Sequence, residues 1–222
     1  MTSGARPGLP RPALVLVTDS ARRPEGSGRV SHIVREAVLG GVNIVQLREK
    51  HLSQTQLVDL GRRVRDAIDG HALLFINGDV EAAIALGADG VHLPEDGLAI
   101  PDVRARVGEH LLISRAVHGI DAALQAERDD ADLLQLGTIF ETASKPGVPP
   151  LGIEGVRAVC AAVRVPVIAI GGISAANAAG VLGAGAAGVA AIGAIFDAED
   201  PRAAAAGLVA SVGLRAPLAA ER

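Results

Sequence analysis

The chain has 222 residues, a formal net charge of -4, 27 glycines and 12 prolines, and only three phenylalanines with no tryptophan or tyrosine. That length suits one domain, able to bury roughly 70% of the surface its unfolded form exposes. An acidic balance without aromatics excludes a basic, base-stacking nucleic-acid reader and a polybasic membrane binder, so neither nucleic acid nor membrane is an expected partner. Cys160 is alone, so no intramolecular disulfide can form, which fits a reducing compartment.

Residues 1–12 (MTSGARPGLPRP) are rich in Pro, Gly and Arg and carry no apolar block; they read as a disordered tail rather than a secretory signal, and the expected location is cytoplasmic. The domain is expected over residues 13–215. Within it, uninterrupted apolar runs of strand length recur at Leu14–Thr18, Asn43–Arg48, Leu73–Asn77, Gly90–Leu93, Leu111–Val117, Leu133–Ile139, Val167–Gly171 and Val189–Ile195. Between them Val30–Leu39, Leu57–Ile68, Asp121–Arg128, Ile153–Val163 and Ala175–Leu182 repeat apolar residues at three- and four-residue spacing. Asp121 and Ser174 stand where N-caps belong, and Gly87 where a helix stops. The uncharged stretch Ala178–Phe196 is long enough to imitate a membrane span. Its glycines, with Gly183-Ala184-Gly185 as a turn, make it helix, turn and buried strand instead.

Eight strand-length runs about one βα unit apart predict a single α/β domain, a closed (β/α)8 barrel of the TIM type. An open doubly wound sheet is the weaker choice, since no Gly-x-Gly-x-x-Gly follows the first strand. In such barrels chemistry is built at the C-terminal ends of the strands. Strand two ends with Gln46, Arg48 and Lys50, which alternation places on one face; the two cations suit a phosphate or carboxylate. Strand three ends Asn77-Gly78-Asp79 and strand four His92-Leu93-Pro94-Glu95-Asp96-Gly97. Asp79, Glu95 and Asp96 at neighbouring strand ends fit a magnesium site or ordinary turn chemistry equally well. His118, ending strand five, is the expected acid–base residue, because an imidazole titrates near neutral pH; His92, ending strand four, is its rival by location. After strand six, a polar, Pro-rich loop brings Thr142 and Lys145 toward the mouth as a lid. Glycines after strands seven and eight (Gly171, Gly172 and, with Ile192, Gly193) let backbone N–H groups approach a phosphate.

With these residues in place, the chain resembles the family of thiamine phosphate synthases and related thiazole tautomerases from Leu14 to Phe196. The likeness rests on Val17-Thr18-Asp19, Gln46-Leu47-Arg48-Glu49-Lys50, Gly87-Ala88-Asp89-Gly90-Val91-His92-Leu93, Ser144-Lys145-Pro146 with Pro149-Pro150-Leu151-Gly152, and Ile170-Gly171-Gly172-Ile173. The resemblance implies that the synthase joins a pyrimidine methyl pyrophosphate to a thiazole phosphate with magnesium, using Asn-Asp after strand three, Gly-Gln-x-Asp after strand four and Ser-Thr-His after strand five. Here Gly78 and Gly97 replace the two aspartates, and Ala116-Val117-His118 stands at the third motif. These departures resemble the tautomerase branch. The expectation is therefore a thiazole tautomerase that isomerises a 2-carboxy-thiazole phosphate by a 1,3-proton shift. His118 would move the proton, Gln46, Arg48, Lys50, Asn77, Thr142 and Lys145 would hold the substrate, Gly171, Gly172, Ile192 and Gly193 would hold the phosphate, and no metal or other cofactor would be needed. The alternatives are a thiamine phosphate synthase, which would need magnesium, and a non-catalytic thiazole-phosphate binder. The expected partner is a small phosphorylated thiazole, with a homo-oligomer left open.

Overall fold

The computed structural model of the chain describes residues 6–22 and 28–213. Eight strands alternate with helices: β1 (Ala13–Val17), α1 (Val30–Leu39), β2 (Ile44–Leu47), α2 (Gln54–Ile68), β3 (Leu73–Asn77), α3 (Val80–Ala85), β4 (Gly90–Leu93), α4 (Ile100–Val107), β5 (Leu112–Val117), α5 (Ile120–Arg128), β6 (Leu133–Leu136), α6 (Gly152–Ala162), β7 (Val167–Ile170), α7 (Ala178–Gly183), β8 (Gly188–Ala191), α8 (Gly193–Phe196) and α9 (Pro201–Ser211). All pairings are parallel, and β8 returns to β1, so the sheet closes as a (β/α)8 TIM barrel.

The core divides into two shells. Outward-facing residues such as Leu14, Leu16, Val45, Leu47, Leu74, Ile76, Leu134 and Leu136 pack beneath the helices in one cluster. Inward-facing Val15, Val17, Ile44, Phe75, Leu112, Leu133, Ile168 and Ala190 form a second cluster inside the barrel. With no Cβ of its own, Gly90 makes room for the Phe75 ring; a Cβ there would lie 2.4 Å from Phe75 Cε1. Going toward the C-terminal ends, the inward positions turn polar: Gln46, His92, Ser114 and Gln135 are all buried. Register locks them together, pairing Val17 with Gln46, Asn77 with His92, His92 with Ser114, and Ala116 with Gln135. The barrel is thus apolar low in its bore and hydrogen-bonding near its mouth.

Several expectations need correction. The run expected as strand through Ile195 leaves the sheet after Ala191 and turns into α8, where Ile195 and Phe196 are buried. Short apolar runs do not distinguish a strand from a buried helix, which is the reason for the difference. The sixth strand stops at Leu136 rather than Ile139. Neither expected cap is a cap: α5 starts after Gly119, leaving Asp121 in its first turn, and α7 starts after Asn177, whose Oδ1 accepts from the Ser174 N–H at 2.9 Å. Gly87, just past α3, takes a positive φ of 55°, as its stop role requires. Of the tail expected over 1–12, residues 1–5 lie outside the described part, as do 214–215 of the expected domain. Residues 6–12 pack under the barrel: Leu9 lies against the inner cluster, Arg6 pairs with Asp132, and Asn43 Nδ2 donates to Pro12 O at 3.1 Å. Among the described residues no helix is long and apolar enough to cross a membrane.

Candidate active site

A cavity of about 720 Å³ opens at the C-terminal ends of the strands. All eleven residues singled out from the sequence line it, carried there by different strand ends and loops: Gln46, Arg48 and Lys50 from β2, Asn77 from β3, His118 from β5, Thr142 and Lys145 from the β6–α6 loop, Gly171 and Gly172 from the β7–α7 loop, and Ile192 and Gly193 between β8 and α8. Of the three acidic candidates, Glu95 and Asp96 line it. Asp79 is instead the N-cap of α3: its Oδ1 accepts from Ala82 N at 2.8 Å and from Gln54 Nε2 at 3.1 Å.

The floor is a belt of neutral polar groups. Gln46 Nε2 donates to Asn77 Oδ1 at 3.0 Å, and His92 Nδ1 shares a 2.9 Å hydrogen bond with Ser114 Oγ. Burial, and next to it the cations Arg115 and Arg48, push the His92 pKa down to about 3. His92, the rival of His118 by position, is therefore a neutral hydrogen-bonding group rather than a cation.

The rim is ionic. His118 Nδ1 meets the Glu95 carboxylate, and its Nε2 accepts from Lys145 Nζ at 2.8 Å, which fixes the proton on Nδ1. This chain of contacts ties three loops, those after β4, β5 and β6, across one side of the mouth. On the other side Arg48 Nη1 reaches Asp19 at 3.1 Å, and Arg22 holds Asp197 through Nη2 at 2.6 Å and Nε at 2.9 Å, with Nη1 donating to Ser144 Oγ at 3.3 Å. The hydrogen bond to Asp197 raises the Arg22 pKa further. Glu49 is buried, and its Oε2 accepts from Ser20 N at 2.9 Å and from Ser20 Oγ, pinning the β1–α1 loop to β2.

Sequence reasoning missed Arg22, Ser144 and Gln135 as lining residues. Arg22 lies in a short 3-10 turn after β1 and carries no local signal; its contacts with Ser144 and Asp197, 122 and 175 positions away, hold it at the site. Arg115 was missed for another reason. It points outward from β5, is buried, and binds the carbonyls of Pro94, Glu95 and Leu98. It thereby shapes the loop that presents Glu95. Arg115→Met is expected to free that loop at a cost of about 2 kcal/mol, since three carbonyls lose a charged donor. Hydrogen exchange over residues 94–99 measures it; unchanged protection there would refute the role.

The strand count, this cavity and its ring of cations agree with one family model, that described as thiamine monophosphate synthase, which matches residues 14–195. The chain belongs to the thiamine monophosphate synthase family. Among its relatives, a thiamine-phosphate synthase from Chloroflexus aurantiacus is 40% identical over 203 residues, 90% of this chain and 93% of the relative. One from Moorella thermoacetica is 43% identical over 152 residues, 67% and 72% of the two chains. The solved thiamine phosphate pyrophosphorylase from Pyrococcus furiosus superposes with a TM-score of 0.81 at 34% identity, covering 90% of this chain and 95% of that one.

These relatives overturn the tautomerase expectation, and with it the isomerase class and the 1,3-proton shift assigned to His118. Departures at three motif positions weigh less than 35–43% identity to synthases over most of the chain.

The magnesium that the family resemblance attaches to the synthase does not fit the donor set. The two aspartate positions are Gly78 and Gly97, Asp79 is spent as a helix cap, and Glu95 is engaged by His118. Among the described residues no group of three or more His, Cys, Asp or Glu is arranged to hold a metal ion.

Proposed function

We propose that this family member is a thiamine-phosphate synthase, a transferase that joins a pyrimidine methyl pyrophosphate to a thiazole phosphate. The observation that carries the reading is its 40% identity to the C. aurantiacus synthase over nine-tenths of both chains. The site supports it with two regions suited to anions: the glycine turns at Gly171–Gly172 and Ile192–Gly193 beside Arg22, and the basic rim of Arg48, Lys50 and Lys145.

The thiazole phosphate would rest on backbone N–H groups of the two glycine turns, with Arg22 alongside. The pyrimidine would lie over Gln46, Asn77, His92 and Gln135, whose amides and neutral imidazole offer both donors and acceptors to an aminopyrimidine. The thiazole nitrogen lone pair attacks the exocyclic methylene of the pyrimidine, forming the C–N bond. The C–O bond to the diphosphate breaks, and its electron pair leaves on oxygen. No proton is removed from the nucleophile, so no general base is needed. Rate comes from alignment of nitrogen, carbon and leaving oxygen, and from cations facing the charge that develops on the diphosphate. His118 then serves Lys145, holding its ammonium in place.

The test is product formation from the two purified substrates, followed by chromatography. Thiamine phosphate should appear with the wild-type chain, and Arg48→Ala should lower kcat/KM by about 10²-fold, as expected when a charge-stabilising donor is lost. Lack of product from the folded protein would reject the reading.

A further inference from the structure

We infer that this chain holds the leaving diphosphate with its own cations, Lys145 foremost, in place of a divalent ion anchored by carboxylates. The inference rests on the synthase reading and specifies how its leaving group is stabilised.

Four cations line the mouth, and two of them already hold carboxylates: Arg22 pairs with Asp197 and Arg48 with Asp19. Arg22, Arg48, Lys50 and Lys145 line the cavity, facing Glu95 and Asp96. A carboxylate pair beside a diphosphate repels it unless a cation stands between them, whereas the ammonium groups of Lys50 and Lys145 attract it directly. The family's two aspartate positions are occupied by Gly78 and Gly97, and the acids next door are already engaged. Asp79 is held by Ala82 N and Gln54, and Glu95 by the His118 imidazole. Of these neighbouring acids, that leaves Asp96.

Lys145 is built for the complementary role. Its Nζ donates one hydrogen bond to His118 Nε2 at 2.8 Å, leaving two ammonium N–H groups for phosphoryl oxygens. Glu95, by accepting the hydrogen bond from Nδ1–H, keeps the Nε2 lone pair turned toward Lys145. Glu95 and His118 are thus positioning residues and Lys145 is the group that touches the leaving oxygens. Lys50, exposed at the same rim, adds a second ammonium. As the methylene–oxygen bond breaks, the electron pair and one unit of negative charge pass to the diphosphate while the thiazole nitrogen becomes positive. The ammonium groups meet that charge with no metal and no change of oxidation state.

The experiment pairs binding with turnover on the full chain. Inorganic diphosphate is titrated calorimetrically in chelator and again in millimolar magnesium, and product formation is followed in both media. Binding and turnover should both persist in chelator, with magnesium changing either by less than about threefold. Lys145→Gln should weaken diphosphate binding in chelator by about tenfold or more, and Lys145→Arg should restore most of it, since one charge-assisted contact is at stake. His118→Asn should weaken binding less than Lys145→Gln. Binding or turnover that appears only with magnesium overturns the inference while leaving the synthase reading intact. Absence of product in both media sinks the synthase reading and takes the inference with it.

Discussion

A Gly171→Val chain is expected to lose both stability and its hold on phosphate. Gly171 follows β7 with φ at 103°, and a Cβ there would lie 2.8 Å from Thr138 Cγ2, 3.0 Å from Thr138 Cα and 3.1 Å from Ile139 N. Two of those three atoms are backbone, so the neighbour cannot swing aside. A β-branched residue at this φ is strained as well as crowded. Strain and overpacking together should cost about 4 kcal/mol, or roughly 10 °C in Tm for a chain of this size. Gly70→Ala separates the two effects. Its φ is 74°, but nothing lies within 4 Å of the added carbon, so about 1–2 kcal/mol of backbone strain is expected alone. Thermal unfolding of both variants, with the KM for thiazole phosphate, measures the difference. An unchanged Tm and KM in Gly171→Val would remove this turn from the phosphate site.

The second large effect is a pH dependence of stability centred on His92. Burial first, and the neighbouring Arg115 and Arg48 next, lower its pKa from 6.5 to about 3 in the folded state. Below pH 6.5 the unfolded chain takes up a proton that the folded chain refuses. Stability therefore rises with pH between about 3 and 6.5, by about 1.4 kcal/mol per unit, and this contribution is complete above 6.5. In His92→Gln, which keeps a hydrogen-bonding side chain without titration, that slope should vanish. The stability advantage of wild type over His92→Gln should shrink by about 3 kcal/mol between pH 6.5 and pH 4. Urea unfolding at a series of pH values reads it directly. Parallel curves for the two proteins would mean that His92 accepts a proton in the fold, and that the cavity floor is wetter than its packing indicates.

The same histidine shows why sequence and structure lead to different functional readings. In the sequence, His92 and His118 are rivals for acid–base work, and His118 prevails by position. The structure gives them separate roles, with His92 locked neutral against Ser114 and His118 linking Glu95 to Lys145. Neither role is visible in the local sequence, because the partners stand 22, 23 and 27 positions away. The family resemblance places the glycines at 78 and 97 where the synthase pattern has aspartates. Their meaning is not local, since a missing metal ligand permits either a different reaction or the same reaction with a different cation. Identity to synthases along most of the chain speaks against a different reaction.

What the sequence determined by itself was the repeat. Doubly buried strands demand continuous runs such as Leu14–Val17 and Leu73–Ile76, connecting helices demand an apolar stripe, and the glycines at 171, 172 and 193 mark where the chain turns closely over the mouth. Those demands are local, so they can be read locally, and with them the strand ends that carry the site. Tertiary structure alone decided that β8 closes on β1, that residues 193–196 form a helix instead of more strand, and that Arg22 finds Asp197 and Arg48 finds Asp19. In a closed parallel barrel neighbouring strands come from distant positions, and side chains at their ends meet through register and loop path. No short window of sequence contains that information, because the energy of each such contact exists only after closure has brought the two ends together.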